Sequence, residues 1–598
     1  MTAGGYFGQA LVVDVGGGGT SSRLPLPGDV LRAYLGGAGL GTWLLHRLGP
    51  PGVDPLAPAA PLAFVFSPLV GTPLTTSAKF AVVAKSPLTG MLNDALSSSQ
   101  FAIAGKLTGH DAIVLKGACA QPSAVLVDGA GARVIGAAEL WGLPAAEAER
   151  RLRDRLGTGW RIAAIGPAGE RAVRYATISH DGRHAGRGGL GAVLGAKRVK
   201  AVAVRAATQI SPADPDALLA AARDLRARSF GPATAKYREL GTLANLLAFN
   251  ALATLPTRNF QAASFAEAPQ LAAEELAGLR KVARHSCASC TIGCEHIYKA
   301  RGGKKMRAEY QNVFALGPMC GVADPDAVLA AGACCDELGL DTISAGGTIA
   351  WAMECAERGL IDAPWLRFGD PAALLRALTE IGERSSELGD LLAEGSRRAA
   401  AQVGAGSAGF APHVKGLELP GYEPRTLQAM ALGLAVNARG ADHNRSGAYA
   451  ADLSGDYDRL AGGAAQVAGA IETEDRAAIM DSLILCNFLR GVFTEPFAEW
   501  AALLAAVTGW PVNEAELRAT ARRIVLAKRW FNIREGWQPA DDWLPDRLLS
   551  EPVQLSSGRV ATLTADGLRS MIDSYYAARG LDPRGHLGPS DVADLHLP

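Results

Sequence analysis

Cys287-Ala288-Ser289-Cys290-Thr291-Ile292-Gly293-Cys294 gathers three of the chain's nine cysteines into eight residues. On a helix, positions i, i+3 and i+7 share one narrow face, and Gly293 would equally allow a tight wrap. Three converging thiolates need a fourth ligand to close a site. Cys119, Cys320, Cys334, Cys335, Cys355 and Cys486 are the candidates. A structural zinc site usually shows two close cysteine pairs, whereas three plus one remote thiolate suits a 4Fe–4S cubane. The C-x2-C-x3-C order also differs from the C-x3-C-x2-C order commonly read as radical chemistry. A zinc staple and a set of reduced thiols are the alternatives. Cys334, Cys335 and Cys355 lie in apolar helical stretches and read as core thiols.

Outward from the cysteines, the texture of the chain changes. Short apolar runs at 10–15, 60–66, 80–84 and 112–115, each bounded by Gly, Pro or Asp, read as strands. Gly36-Gly37-Ala38-Gly39-Leu40-Gly41 opens a helical pattern but is not G-x-G-x-x-G, so no dinucleotide fold is indicated. From about 214 the pattern turns helical, at 214–229, twice within 323–359 and at 515–530. The fold class is therefore α+β. A β-rich domain at 1–208 is followed by mainly helical domains at 209–415 and 416–598, in keeping with ~150 residues per core.

Composition excludes several classes. The 598 residues carry 59 basic and 59 acidic side chains, which argues against nucleic-acid binding and a polybasic membrane face. With 48% hydrophobic residues, there is ample material for a core. The uncharged stretch 55–78 contains five prolines, which no ordinary spanning helix would carry. Asp14 interrupts the first apolar run, so no secretory signal is expected and the reading is cytoplasmic.

Two further motifs bear on chemistry. In Asp336-Glu337-Leu338-Gly339-Leu340-Asp341, one helix should end at Gly339 and the next begin at Asp341. That is a routine helix junction, but it also sets two carboxylates beside free helix-start N–H groups that could hold a polar heterocycle with amino groups and phosphate. In Asp481-Ser482-Leu483-Ile484-Leu485-Cys486, a continuous helix would point the two end side chains about 140° apart.

Together these residues resemble the aldehyde:ferredoxin oxidoreductase family of tungsten enzymes. The likeness runs almost end to end. It includes Leu35-Gly36-Gly37, Lys85-Ser86-Pro87-Leu88-Thr89-Gly90, Gly186-Arg187-Gly188-Gly189, Arg439-Gly440-Ala441-Asp442-His443 and Phe531-Asn532-Ile533-Arg534-Glu535-Gly536. The resemblance implies a tungsten (or molybdenum) bis-pterin on a β-rich base, with magnesium bridging the pterin phosphates. It implies a 4Fe–4S cluster on Cys287, Cys290, Cys294 and Cys486. Pterin contacts are implied for Asp336, Leu340, Asp341, Asp481 and Cys486, with Lys79, Arg187 and Gly188 from the first domain. The implied reaction oxidises a small aldehyde to a carboxylic acid and passes electrons to ferredoxin or a related iron–sulfur carrier. A homodimer is compatible with the resemblance.

Departures fall on the implied site. Ala38 stands where the family usually has Arg, Lys79 where Arg is expected, and Leu96 where a pterin-contacting Asn is expected. The family pattern Glu-Tyr-Glu reads Glu309-Tyr310-Gln311 here, and Gln311 cannot take a proton. His443 then leads as the proton-transfer group, because imidazole titrates near neutrality. Tyr422 could hydrogen-bond a substrate carbonyl, and Glu309 is either a replacement base or a salt-bridge partner. The alternatives are low-potential reduction, as in the tungsten subunit of benzoyl-CoA reductases, and an electron-transfer paralogue with weakened catalysis.

Overall fold

The first apolar run becomes strand β1 (Gln9–Asp14), which opens a six-stranded sheet with β2 (Thr20–Pro25), β3 (Leu62–Val65), β4 (Lys79–Lys85), β5 (Leu92–Ser98) and β6 (Ala112–Lys116). The strand order is β2-β1-β6-β3-β4-β5, and the β1–β6 pair alone is parallel. All four residues of β3 are buried, as a strand covered on both faces requires, whereas β2 at the edge is mostly exposed. The computed structural model describes residues 3–555 and 557–598.

A second six-stranded sheet follows, built from β7 (Ser123–Asp128), β8 (Gly131–Gly136), β9 (Arg161–Ile165), β10 (Ile178–His180), β11 (Arg183–Ala185) and β12 (Val199–Val204). Its order is β11-β10-β9-β12-β7-β8, again with one parallel pair, β7–β12. The helical pattern opened by Gly36–Gly41 is helix Gly37–Leu48, but the expectation of strands and turns in the rest of this region is incomplete, because helices Gly28–Tyr34, Gln100–Lys106, Ala145–Leu156 and Leu190–Ala196 are threaded between the strands. Helix Gly37–Leu48 has a glycine-rich first turn for a packing reason. Gly37 takes φ +41°, and a Cβ there would stand 2.2 Å from the carbonyl oxygen of Asp481. The glycine lets this turn close on the segment that bears Asp481 and Cys486.

The change of texture lies between Val204, where β12 ends, and Pro215, where a helix capped by Asp214 begins. The chain then runs through helices Tyr310–Leu316, Pro325–Leu338, Thr342–Glu357 and Pro371–Glu383, and later Gln428–Val436, Ala464–Leu483, Pro496–Thr508, Glu514–Arg534 and Ala565–Arg579. A small antiparallel sheet of β13 (Lys281–His285), β14 (Glu295–Lys299) and β15 (Lys305–Arg307) interrupts them. The cysteine run is the β13–β14 connection. It is a wrap and not a helix, with Ser289 at φ 52° and Gly293 at φ 60°. One apolar core runs from Tyr6 to Leu595, so the β and helical regions share their interior. Helix Ala464–Leu483 packs on Gly37–Leu48, Gln428–Val436 and Glu514–Arg534, which brings the two ends of the chain together. Among the described residues no single helix is long and apolar enough to cross a membrane.

Burial holds His46, His110 and His296 at about 4 and His413 at about 3, below the ordinary imidazole value of 6.5. The unfolded chain gains protons at these sites near pH 6.5, while the folded chain stays neutral down to about 4. Stability therefore rises with pH through this window and is lost as pH falls from about 6.5 toward 4, by up to ~3 kcal/mol for each fully buried ring. The denaturant midpoint should fall steadily between pH 7 and pH 5, and a flat profile would contradict neutral burial. Replacing His110 with Asn should remove its share of the slope.

Candidate active site

The cysteine wrap is fixed by its neighbours' polar groups. Thr76 donates its backbone N–H to the Ser289 carbonyl at 2.8 Å, and Thr75 Oγ1 lies 2.7 Å from Thr291 Oγ1. Arg284 spans the loop, donating to the Gly293 and Ile292 carbonyls at 2.8 Å each. Within it Cys287 and Cys290 act on each other's titration, pushing the Cys287 thiol down to about 5 and the Cys290 thiol up. The Ile292 N–H points at Cys290 Sγ from 3.3 Å, the kind of backbone contact that tunes thiolate-bound clusters.

Cys486 arrives from the other end of the chain. Helix Ala464–Leu483 stops at Ile484, which adopts a left-handed φ of 65°, and Cys486 begins the next short turn. The helical reading of the segment from Asp481 to Cys486 is thus corrected: the backbone breaks between them, and the 140° relation does not hold. The charge of Cys486 bears on Cys290 and Cys294, and the charges of Cys486 and Cys287 bear on Lys79. All four sequence-nominated thiols thus share one electrostatic neighbourhood. Among the described residues no three His, Cys, Asp or Glu groups close to single-ion distance. A tetrahedral zinc with ~2.3 Å bonds would need sulfurs within about 4 Å of one another.

Next to the thiols is a cavity of about 330 Å³ between the first sheet and both helical regions. It collects Lys79, Arg187, Asp336, Leu340, Asp341, Asp481, Cys486, Glu309, Gln311 and His443, ten of the residues that the sequence nominated. Gly188 is not on the wall. It takes φ +84° behind Arg187, where a Cβ would stand 2.1 Å from the Asn93 side chain. Leu96 lines the cavity and offers no hydrogen bond.

The helix junction is as the sequence indicates, with Gly339 left-handed at φ 80° and Asp341 capping Thr342–Glu357. Its N–H groups are not free, however. The Asp341 carboxylate accepts from Ile343 N at 3.2 Å and Ser344 N at 3.3 Å, and Arg187 Nε donates to it from 3.3 Å. Arg187 also donates to the Ala441 carbonyl at 2.6 Å and the Glu418 carbonyl at 2.5 Å, tying three chain regions to one guanidinium. Burial pushes Asp336 up, but His184 at 3.0 Å and Arg307 pull it below the ordinary carboxylate value.

Behind the cavity, Asp94 is fully buried. It pairs with Lys528 at 2.7 Å and Arg445 at 3.1 Å. Burial would raise its pKa, but Lys528, Arg445 and Arg439 hold it down at about 2. Arg445 also reaches Asp481 Oδ2 at 2.8 Å, yet no donor is aligned on that oxygen. Gln311 Nε2 and His443 Nδ1 are likewise buried without a hydrogen-bond partner. Lys79 faces the thiols, and among the described residues its charge meets no carboxylate at ion-pair distance. Burial pulls it down, but Cys486, Cys287 and Asp481 hold its pKa above the ordinary lysine value. Unpaired buried polar atoms around one cavity, with cations and carboxylates alternating, fit an anionic heterocycle rich in hydrogen-bonding groups. His184, Arg307, Arg439, Arg445 and Asn444 also line the cavity without having been nominated, and no local spacing marks them.

A second cavity of about 300 Å³ shares Glu309, Gln311, His443, Asn444 and Phe488 with the first. Tyr422 belongs here, stacked on Tyr449 at 4.5 Å and 5.4 Å from the His443 ring. Gln311 Oε1 accepts from Gly421 N at 2.9 Å, which leaves its Nε2 unpaired. Glu309 contacts Arg307 Nε at 3.1 Å, so it is engaged as an ion-pair partner. His443 departs from the expectation of near-neutral titration. Burial, opposed by Asp442 and aided by Arg187, Arg445 and Arg439, lowers it to about 4 and keeps the imidazole neutral.

The model of the family described as aldehyde ferredoxin oxidoreductase, N-terminal domain, matches residues 10–206, and that of its domains 2 and 3 matches 221–597. The chain is 34% identical over 586 residues to the tungsten-containing aldehyde ferredoxin oxidoreductase of Pyrococcus furiosus, covering 95% of each. It is 26% identical over 622 residues to the aliphatic sulfonate oxidoreductase WOR-like subunit of the same organism, covering 97% of this chain and 95% of that one. The active-site complex BamBC of benzoyl coenzyme A reductase, solved with 1,5-dienoyl-CoA, shares the fold at TM-score 0.84 and 22% identity, covering 100% of this chain and 97% of that one.

Asp94→Asn would leave Lys528 and Arg445 facing each other across an uncharged partner. Its unfolding free energy should drop by ~3–5 kcal/mol in denaturant titration. A change below about 0.5 kcal/mol would mean that the charges behind the cavity are independently satisfied.

Proposed function

The chain belongs to the aldehyde ferredoxin oxidoreductase family, and on that premise we propose that it is a tungsten-dependent oxidoreductase converting an aldehyde and water to a carboxylic acid, two protons and two electrons, with ferredoxin or a related carrier as acceptor. The observation that carries this reading is the order of parts: four thiols, then a polar cavity, then an aromatic cavity, with Gln311 and His443 on the shared wall. In this reading Asp336, Leu340, Asp341, Asp481, Lys79 and Arg187 would hold a bis-pterin and its magnesium, and Gly188 lets the Arg187 loop close behind them. Cys287, Cys290, Cys294 and Cys486 hold a 4Fe–4S cluster. When bound, the metal and its dithiolenes supply the two-electron chemistry.

The chain's own residues do the rest. Arg187 and Arg445 are oriented by carboxylates and carbonyls before anything binds, so the cavity is preorganised for negative charge. Lys79 sets its ammonium within electrostatic reach of Cys486, Cys287 and Asp481, where it offsets their charge. Gln311 can donate through Nε2 but cannot accept a proton. His443 is neutral and able to accept one, and an anionic group in the cavity would raise its basicity. Tyr422 is oriented by its stack on Tyr449, within reach of a carbonyl substrate in the aromatic cavity. The second reading, a paralogue with weakened catalysis, draws on Gln311, Lys79 and Leu96.

Protein purified without oxygen should contain tungsten, release pterin on acid extraction, and carry iron. Iron without tungsten, molybdenum or pterin would favour the electron-transfer paralogue. Cys486→Ala should lose most of the iron and its visible absorption, and a full iron complement would remove Cys486 from the ligand set. Gln311→Glu should raise aldehyde turnover, by as much as ~10²-fold if proton acceptance at this position limits the rate. An unchanged rate would place proton transfer elsewhere.

A further inference from the structure

The aromatic cavity holds two cations that the proposed chemistry does not use. Arg490 is half-buried on its wall, with the guanidinium 5.5 Å from the Tyr449 ring centroid and Nη1 donating to the Asn487 carbonyl at 3.2 Å. Lys236 stands at the mouth, its ammonium 5.1 Å from the Tyr237 ring and 3.0 Å from Asn245 Oδ1. Among the described residues neither pairs with a carboxylate. The two cations also feel each other, since Arg490 depresses the Lys236 pKa after burial does. Two cations in one pocket, with no carboxylate partner, attract an anion.

Position and shape define that anion further. Neither cation lines the polar cavity, whereas Gln311 and His443 line both cavities. The His443 ring is 6.4 Å from the Tyr449 ring, which is 5.5 Å from the guanidinium, so Arg490 lies within about 12 Å of the imidazole. Between these ends the walls are flat: Tyr422 stacks on Tyr449 at 4.5 Å, and Tyr237 stacks on Phe488 at 4.4 Å. Flat π-faces favour a planar apolar spacer, and the planar fork of arginine matches a carboxylate in two hydrogen bonds.

Resting on the proposed aldehyde oxidation, we propose that this enzyme selects an aldehyde that bears a carboxylate across a short aromatic spacer, with Arg490 and Lys236 anchoring the carboxylate. The carbonyl end then lies at Gln311 and His443, water supplies the added oxygen, and the two electrons leave to ferredoxin. The product is a dicarboxylate.

The test compares 4-carboxybenzaldehyde with 4-methylbenzaldehyde, which has a similar outline and no charge, using the loaded enzyme. The kcat/KM ratio should favour the charged substrate by about tenfold or more, chiefly through KM, and the preference should shrink as salt is added. Arg490→Gln should bring the ratio close to one, Arg490→Lys should restore part of it, and Lys236→Gln should lower it less. A separate calorimetric titration, with no turnover, should show terephthalate binding more tightly than 4-methylbenzoate, and Arg490→Gln should abolish the difference. A wild-type ratio of one or less, or a ratio indifferent to Arg490, would overturn the inference even if 4-methylbenzaldehyde is oxidised well. Arg490-dependent terephthalate binding without turnover of any aldehyde would instead overturn the proposed activity and uphold the anion site.

Discussion

Asp94 is the counter-charge on which the cavity depends. It is buried on β5, and it is shared by Arg445 from the segment after Asp442 and by Lys528 from helix Glu514–Arg534. Removing two cations from water is costly, and the cost is met only if a carboxylate receives both with good geometry. Once Asp94 does so, Arg445 is fixed, and its far side is presented to Asp481 at 2.8 Å. Arg187 plays the matching part on the other wall, where one guanidinium joins Asp341 to the carbonyls of Glu418 and Ala441. Sheet and helical regions are thus locked around a polar hollow whose own hydrogen bonds are left incomplete.

That incompleteness has a direction. At the thiol side, Lys79 faces Cys287 and Cys486, so positive charge is placed where thiolates concentrate. At the opposite side, the wall turns aromatic, and Gln311 and His443 mark the change. A charge-rich chamber beside an aromatic one separates the task of holding a highly charged group from the task of admitting an organic molecule. The neutral state of His443 belongs to the same design, because burial disfavours its charged form and three nearby arginines add to that effect.

Much of the fold was legible because it is local. The apolar runs became β1, β3, β4 and β6, the Asp214 and Asp341 caps begin helices, and Gly339 ends one. The helix after Gly36–Gly41 was also legible, whereas other helices within the first 205 residues were missed, since Gly-rich and Ala-rich segments such as Leu190–Ala196 carry little amphipathic signal. The helical reading through Cys486 failed for a comparable reason. Nothing in Leu483-Ile484-Leu485 announces a break, yet Ile484 adopts φ 65°, a conformation that a β-branched residue seldom takes.

By itself the sequence determined which side chains could bind metal or cofactor, since cysteine spacing, helix caps and glycine turns are properties of a few consecutive residues. It also determined the departures at Lys79, Leu96 and Gln311, which are matters of identity at a position. Only the tertiary structure decided that Arg445 serves Asp94 from 351 residues away, that Glu309 is already engaged by Arg307, and that Arg490 and Lys236 face one aromatic chamber. Those relations are set by packing between distant elements, and a lone arginine has no local pattern from which its partner could be read.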